Sequence, residues 1–471
     1  MLTIKIPNLC QNEQRYSLDI LLGEFLGLAF EVESYEGDVI EITRPGDSDA
    51  GSGGDAPNAA RLTLDASFFH QAHQAWLKPE SMPVLPLATW NPAEEGINAN
   101  LVEPSVPVLY GQPGLVKNGE HLHINLDIFG SAFFMLSRYE ELITKDRDNH
   151  DRFPATASVA YRAGFLDRPI VNEYLEILWQ CLQQLWPQLL RLKRLPHVEV
   201  SCDVDDPFDC LVNQPIALFK TCAMDILKRK DTKLAIKRFM NLLLAPFGIN
   251  KFDPYNTFDW YMDVCDQSNI KATFYFIIDN SSGKIDGCYS IYDKRIQKLI
   301  SNIIDRGHKI GVHGSYSTYK NPVQVEKEYL IFQQDILAKF NYKESIGIRQ
   351  HYLRVDYSQT QDVFNKQGYV YDTTGGYADM PGFRFGVCYE FSMWSWLACQ
   401  KLSIRQKPLI AMEVAVFNKY STKQSIIVFK ELKELCFQFD GCFSLLWHNS
   451  QFYSIRNSIF RSAVGVTNGS R

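Results

Sequence analysis

The chain contains no Cys-x-x-Cys pair, and no apolar run reaches the roughly 18 residues needed to cross a bilayer. Its eleven cysteines, an odd number scattered along 471 residues, read as reduced thiols, not as a disulfide framework or a cysteine zinc site. The opening Met1-Leu-Thr-Ile-Lys-Ile-Pro-Asn lacks a basic segment followed by an apolar one, so export by a signal peptide is not expected and a cytoplasmic location is. There is no excess of positive charge either. The formal net charge of −6 argues against a general nucleic-acid binder, and no nucleic-acid partner is expected. What is present is ordinary for a folded chain: 46% hydrophobic and 22% charged residues, in a length that predicts two or three domains.

Residues 44–57, rich in Gly, Asp and Ser, read as a flexible surface loop. Residues 17–31 read as a buried helix or helix–strand. Residues 126–143 carry Phe129, Phe133, Phe134, Leu136, Tyr139 and Leu142 at helical spacing, and residues 170–192 form a second long helical candidate. Leu195-Pro196 breaks that pattern and sets the predicted boundary between an N-terminal α/β domain, 1–195, and a second domain, 196–471. Beyond it, candidate strands at 197–204, 271–278, 308–313, 345–351, 369–373, 408–414 and 442–447 are mostly separated by helical patterns. That alternation predicts a parallel α/β sheet or barrel. Between the first two strands, residues 215–252 form a long insertion. Its stretch 228–244 is basic and amphipathic, a candidate for peripheral contact with an anionic membrane surface or for gripping an anionic substrate. The plainer alternative is a solvated helix face packed on the barrel.

The chemistry-bearing residues fall at predicted strand ends. Val198-Glu-Val-Ser-Cys-Asp-Val-Asp-Asp-Pro207 is a β-favouring run that ends in Asp203, Asp205 and Asp206. Alternation puts Asp203 and Asp205 on one face, and two carboxylates that close repel unless a proton or a cation sits with them. His313, Arg349, His351, Asp372 and His448 follow at later strand ends, where α/β barrels build active sites. Asp148 and His150 form a D-x-H pair in the N-terminal part, read as a loop feature because no third ligand lies nearby.

These segments resemble the polysaccharide deacetylase superfamily, the family-4 carbohydrate esterases and their relatives. Five short motifs carry the resemblance in order: Asp203-Val-Asp205, His313-Gly-Ser-Tyr-Ser317, Arg349-Gln-His-Tyr-Leu-Arg354, Asp372-Thr-Thr and Leu445-Leu-Trp-His448. Phrases such as Gly375-Gly-Tyr-Ala-Asp-Met-Pro-Gly-Phe-Arg384 and Asp127-Ile-Phe-Gly-Ser-Ala-Phe-Phe-Met look like a bacterial branch associated with surface polysaccharide gene clusters. The resemblance implies a distorted (β/α)7-type barrel preceded by a smaller α/β N-terminal domain. It also implies a divalent-metal-dependent hydrolase, zinc being the first candidate, that removes an acyl group from a carbohydrate, N-acetyl by first choice.

In that scheme Asp203 is the general base, His448 the general acid, and the backbone N–H of Tyr352 the oxyanion donor, with Arg349 and Asp372 paired to orient them. Asp205 and His313 bind the metal. Ser317 stands where the family has its second histidine, and a hydroxyl is a poorer zinc ligand than imidazole, so His351 is the expected substitute. Residues 375–396, rich in aromatics, are the expected substrate-side loop, with Tyr377 to stack on a sugar and Arg384 to bind a phosphate or carboxylate. The expected substrate is a carbohydrate linked to a nucleotide or a lipid carrier. The alternatives are hydrolysis of another non-peptide C–N bond, or a catalytically impaired sugar-binding protein on the same barrel.

Overall fold

A computed structural model describes residues 1–45, 60–247, 249–453 and 455–466. The segment expected to be a surface loop lies outside the described residues from residue 46 onward.

The N-terminal part is built on a mixed sheet. Strands β1 (Leu2–Pro7), β2 (Phe30–Tyr35), β3 (Val39–Thr43) and β4 (Arg61–Asp65) are followed by a two-stranded ribbon, β5 (Ala88–Trp90) with β6 (Val106–Val108). The hairpin β7 (Gly111–Asn118) and β8 (His121–Leu126) comes next. Six of these pair in the order β2-β1-β3-β4-β8-β7. Period-two alternation buries Leu2, Ile4 and Ile6 of β1 and Ile40 and Ile42 of β3. The helix Ile128–Leu136 is apolar on all sides and buried along its whole length, as such a helix must be.

The C-terminal part is built on nine strands: β9 (His197–Val204), β10 (Thr273–Ile277), β11 (Lys309–Gly314), β12 (Gly347–Gln350), β13 (Tyr371–Asp372), β14 (Phe391–Ser395), β15 (Gln400–Gln406), β16 (Ala411–Met412) and β17 (Cys442–Leu446). They pair in the order β14-β15-β13-β12-β11-β10-β9-β17-β16, all parallel except β14 with β15. All seven strands expected beyond residue 196 are present. The β14–β15 hairpin is additional, and it occupies part of the segment read from sequence as a substrate-side loop. No ladder joins β14 to β16 among the described residues, so the sheet is open, not a closed barrel. It nevertheless curls. The strands β12 and β17 are four spacings apart, roughly 19 Å in a flat sheet. Yet Nε2 of His351, just past β12, and Nε2 of His448, just past β17, both lie 3.6 Å from the carboxylate of Asp205.

Buried apolar side chains of the two parts form one continuous cluster. Tyr16 stacks edge-on with Phe133 and tilted against Trp394, and its hydroxyl donates to the Ser392 carbonyl at 2.8 Å. A buried charge network crosses the same boundary. Arg384 donates to both Glu141 oxygens, at 3.0 and 2.7 Å, and to the Gly376 carbonyl, while Arg138 bonds Glu140, Glu141 and the Tyr377 hydroxyl. This corrects two sequence expectations. Tyr377 and Arg384 are buried and fully engaged, so neither is free to stack on a sugar or meet an anion. Phe383, Phe385, Tyr389, Phe391 and Trp394 are likewise core, because the N-terminal part covers them. Glu141→Ala would leave the Arg384 guanidinium buried without a carboxylate. It should destabilise the fold by about 3–5 kcal/mol, read as a lower denaturant midpoint; an unchanged midpoint would show that the network contributes nothing.

A third correction concerns the thiols. Cys210 and Cys288 form a disulfide across 78 residues, a pairing that spacing cannot reveal; the other nine cysteines are free. No helix of the described residues is long and apolar enough to cross a membrane.

Candidate active site

The site forms at the C-terminal ends of the central strands. Alternation along β9 sends Val200, Cys202 and Val204 to one side, and Ser201, Asp203 and then Asp205 to the concave side. Asp203 is buried there beneath Arg349 from β12. The Arg349 Nη1 donates to Asp203 Oδ1 at 2.9 Å and to Ser201 Oγ at 2.8 Å, and its Nε donates to the Thr373 carbonyl at 3.2 Å. The guanidinium also lies over the Tyr275 ring of β10. Room for that ring comes from Gly311 on the neighbouring strand, where a Cβ would fall 2.6 Å from it.

Asp205 is the focus of three imidazoles. His313 Nε2 lies 3.2 Å and His351 Nε2 3.6 Å from its Oδ1, and His448 Nε2 lies 3.6 Å from its Oδ2. In each ring the other nitrogen is already occupied. His313 Nδ1 donates to the Arg349 carbonyl at 2.8 Å, His351 Nδ1 meets Asp286 Oδ1 at 3.1 Å, and His448 Nδ1 meets Glu413 Oε1 at 2.5 Å. A carbonyl or a carboxylate only accepts, so each Nδ1 carries the proton. Where the rings are neutral, the Nε2 lone pairs of His313 and His351 then point at the Asp205 carboxylate. Asp205 Oδ1 is buried and accepts no hydrogen bond. Acceptors facing acceptors require a positive charge between them. The donor set of Asp205, His313 and His351, whose ligand atoms lie within 4.8 Å of one another, fits a divalent cation such as zinc. Carbonyl and carboxylate partners on the far nitrogens are the usual means of fixing a ligating tautomer.

Protonation shows the same demand. Burial opposes a charged His313, but Asp203, Asp205 and the Arg349 carbonyl together raise its pKa above the ordinary value. Burial also opposes charge on His448, while Glu413, followed by Asp205 and Asp203, pushes it up to about 10. Burial alone would raise Asp205, yet His351, His313 and His448 hold it well below the usual carboxylate range. Its neighbour Asp206 is pushed up to about 6 by burial and by Asp205 and Asp209.

Other expected site residues are placed differently. Asp372 does not pair with Arg349, whose hydrogen bonds go to Asp203, Ser201 and Thr373. Its Oδ1 instead accepts from the Thr374 backbone N–H at 2.8 Å, its Oδ2 is buried without a partner, and burial pushes its pKa to about 6. The Ser317 hydroxyl is engaged with the Ser282 hydroxyl at 2.7 Å. Tyr352 sits at the mouth directly after His351, with φ 62°, followed by Leu353 at φ 55°, two consecutive left-handed residues that hold the chain in a sharp turn. Such backbone costs on the order of 1–3 kcal/mol per residue and clusters at functional sites. The N-terminal part reaches this mouth: Arg152 donates to the Tyr352 carbonyl at 3.0 Å, and the His150 ring lies 4.5 Å from the Tyr352 ring. Asp148 is held by Arg152, and His150 Nδ1 meets the Tyr316 hydroxyl, so the D-x-H pair is part of a loop wall.

Two residues that sequence reasoning did not single out complete the cluster. Glu413 is buried immediately after β16 and holds His448 through both its ring and its backbone N–H. An acid next to a strand end was a usable signal. Asp286 is buried in the loop after β10, where it accepts from the backbone N–H groups of Ser281, Ser282 and Tyr316 as well as from His351. Nothing local to the sequence marks it.

Comparison with known proteins gives little beside this geometry. Residues 2–187 match a family of unknown function, DUF7033. No curated protein matches the chain. Among solved structures, a Mycobacterium smegmatis protein provisionally named polysaccharide deacetylase is similar at a TM-score of 0.32 and 15% identity, over 57% of this chain and 83% of that one. A likeness of that size carries no argument, so the functional reading rests on the site itself.

Proposed function

We propose that this protein is a divalent-metal-dependent hydrolase that removes an acyl group, N-acetyl by first choice, from a carbohydrate. The observation that carries the reading is the convergence of three imidazoles on Asp205, every Nδ1 proton already occupied, beside a second carboxylate, Asp203, fixed by Arg349. A cation held by Asp205, His313 and His351 would polarise the acyl carbonyl. Asp203 takes the proton of the attacking water, and its hydrogen bond from Arg349 holds it in place for that task. His448, kept protonated by Glu413, delivers a proton to the leaving amine. The Tyr352 backbone N–H is the proposed oxyanion donor. Asp372 positions the Thr373–Thr374 turn whose backbone receives Arg349. The proposed substrate is a carbohydrate joined to a nucleotide or a lipid carrier, handled by a barrel-like part whose access the N-terminal part narrows through residues 148–152.

The test is acetate release from N-acetylated sugars, free and carrier-linked, before and after chelation and with zinc restored. Metal-restored release supports the reading. Turnover of cyclic amides or ureido compounds without acetate release would move it to another C–N bond, and metal-independent sugar binding without any turnover would leave a binding protein.

The role given to His448 makes a pH prediction. A raised imidazole pKa means that the acid form persists as pH climbs. Removing the Glu413 charge lowers that pKa, so in Glu413→Gln the alkaline limb of the rate profile should move to lower pH. An alkaline limb that stays in place would remove His448 from the acid role.

A further inference from the structure

The helical hairpin inserted after β9, Pro215–Leu227 and Thr232–Leu244, is built inside out. The faces that meet the protein bury charge beside the apolar Leu218, Leu234 and Ala235. Asp225 of the first helix is fully buried, Arg238 of the second is 4% exposed, and Arg238 bridges Asp225 to Asp209 at the base of the hairpin. The opposite faces are apolar and open. Ile216, Phe219 and Leu227 are exposed at 76, 56 and 79%, and Ile236, Phe239 and Leu243 at 64, 44 and 48%. In each helix these residues recur at intervals of three, four or eight positions, as a single stripe does. A water-exposed helix normally shows the reverse arrangement, so these stripes call for a cover.

Charge identifies the cover. Between residues 214 and 251 there are eight Lys or Arg and two Asp, in a chain whose net charge is −6. Arg229 and Arg238 are bound to Asp225, so among the described residues the cations without an ion pair here are lysines, with Lys220, Lys228, Lys230 and Lys233 all exposed. Protein–protein interfaces are poor in Lys and rich in Arg, Tyr and Trp; this hairpin has no Tyr or Trp. Apolar stripes of Ile, Leu and Phe edged by long lysines that can extend to headgroups suit a lipid–water interface with negative charge. We propose that the hairpin docks this protein on an anionic lipid membrane, with the two apolar stripes in the acyl boundary and the lysines among the headgroups.

The hairpin is fixed to the site and does not hang free of it. The Asp253 carboxylate accepts from the Asp209 backbone N–H at 3.1 Å, and Arg238 holds the Asp209 side chain, three residues from Asp206. Docking would therefore hold the acid–histidine cluster beside the bilayer. The proposal does not depend on the hydrolase reading, because it is read without turnover.

The test uses the full-length protein and sedimentation with vesicles of phosphatidylcholine alone, or of phosphatidylcholine with phosphatidylglycerol. Wild type should sediment with the anionic vesicles only, and less as salt rises. Lys228→Glu, Lys230→Glu and Lys233→Glu together should weaken partitioning on the order of a hundred-fold. Ile216→Ser, Phe219→Ser and Leu227→Ser together should weaken it by at least about ten-fold. All six positions are exposed, so circular dichroism should be unchanged, and the two sets fail independently. Absence of wild-type binding to anionic vesicles, or binding by either set equal to that of wild type, overturns the proposal. Concentration-dependent self-association lost in the serine set, without vesicle binding, would assign the face to a second copy and overturn it as well.

Discussion

His351→Ala should lower divalent-cation affinity by more than about 100-fold, while Ser317→Ala should change it little. A ligand that loses only its supporting partner already costs about 10–100-fold, so loss of the ligand itself must exceed that. Asp286→Asn supplies that intermediate case, because Asp286 fixes the His351 ring from behind without reaching the cation. The expected order of metal affinity is thus wild type and Ser317→Ala together, then Asp286→Asn, then His351→Ala, with His313→Ala as weak as His351→Ala. Titration calorimetry with zinc, alongside elemental analysis, reads this order. Equal and small effects of His351→Ala and Ser317→Ala would mean that His351 is not a ligand and that the third position belongs to water or substrate.

Asp203→Asn should keep the metal and lose roughly 10²–10⁴ in turnover, the usual worth of a positioned base. The substitution is nearly isosteric, but it removes the charge that Arg349 faces in a buried setting. Some stability will be lost too, so the measurement must pair turnover with metal content and a melting curve. Retained metal with a collapsed rate places Asp203 in proton transfer. A near-normal rate excludes it. Lost metal together with a lost rate would show instead that Asp203 holds the cation, which its 3.8 Å approach to His313 Nε2 makes the specific competing outcome.

Much of the site was legible in the chain because its signals are local. A β-favouring run that alternates apolar and polar residues must send Asp203 and Asp205 to the same side, wherever the strand lies. Strands separated by helical patterns must run parallel or nearly so, which puts their C-terminal ends, and with them His313, Arg349, His351 and His448, at one edge. That inference needed no partner to be known, and the large sheet follows it, apart from the β14–β15 hairpin whose aromatics masked its strand character.

Tertiary structure decided everything that depends on which surfaces meet. Arg349 chose Asp203 over Asp372 because the curl of the sheet brings β12 across to β9, and no residue pattern encodes curvature. Tyr377 and Arg384 look like substrate contacts in the chain, but Arg138 and Glu141, 239 and 243 positions away from them, engage them in the core. Asp286 and Glu413 became supports of His351 and His448 through loops and strand ends that sequence separates by 65 and 35 positions. The Cys210–Cys288 pair and the inverted hairpin have the same origin. Residue type and periodicity fix what each segment can offer to a neighbour. The neighbour itself is selected by the total burial and charge pairing of the whole chain, a sum over long-range contacts that no short window contains.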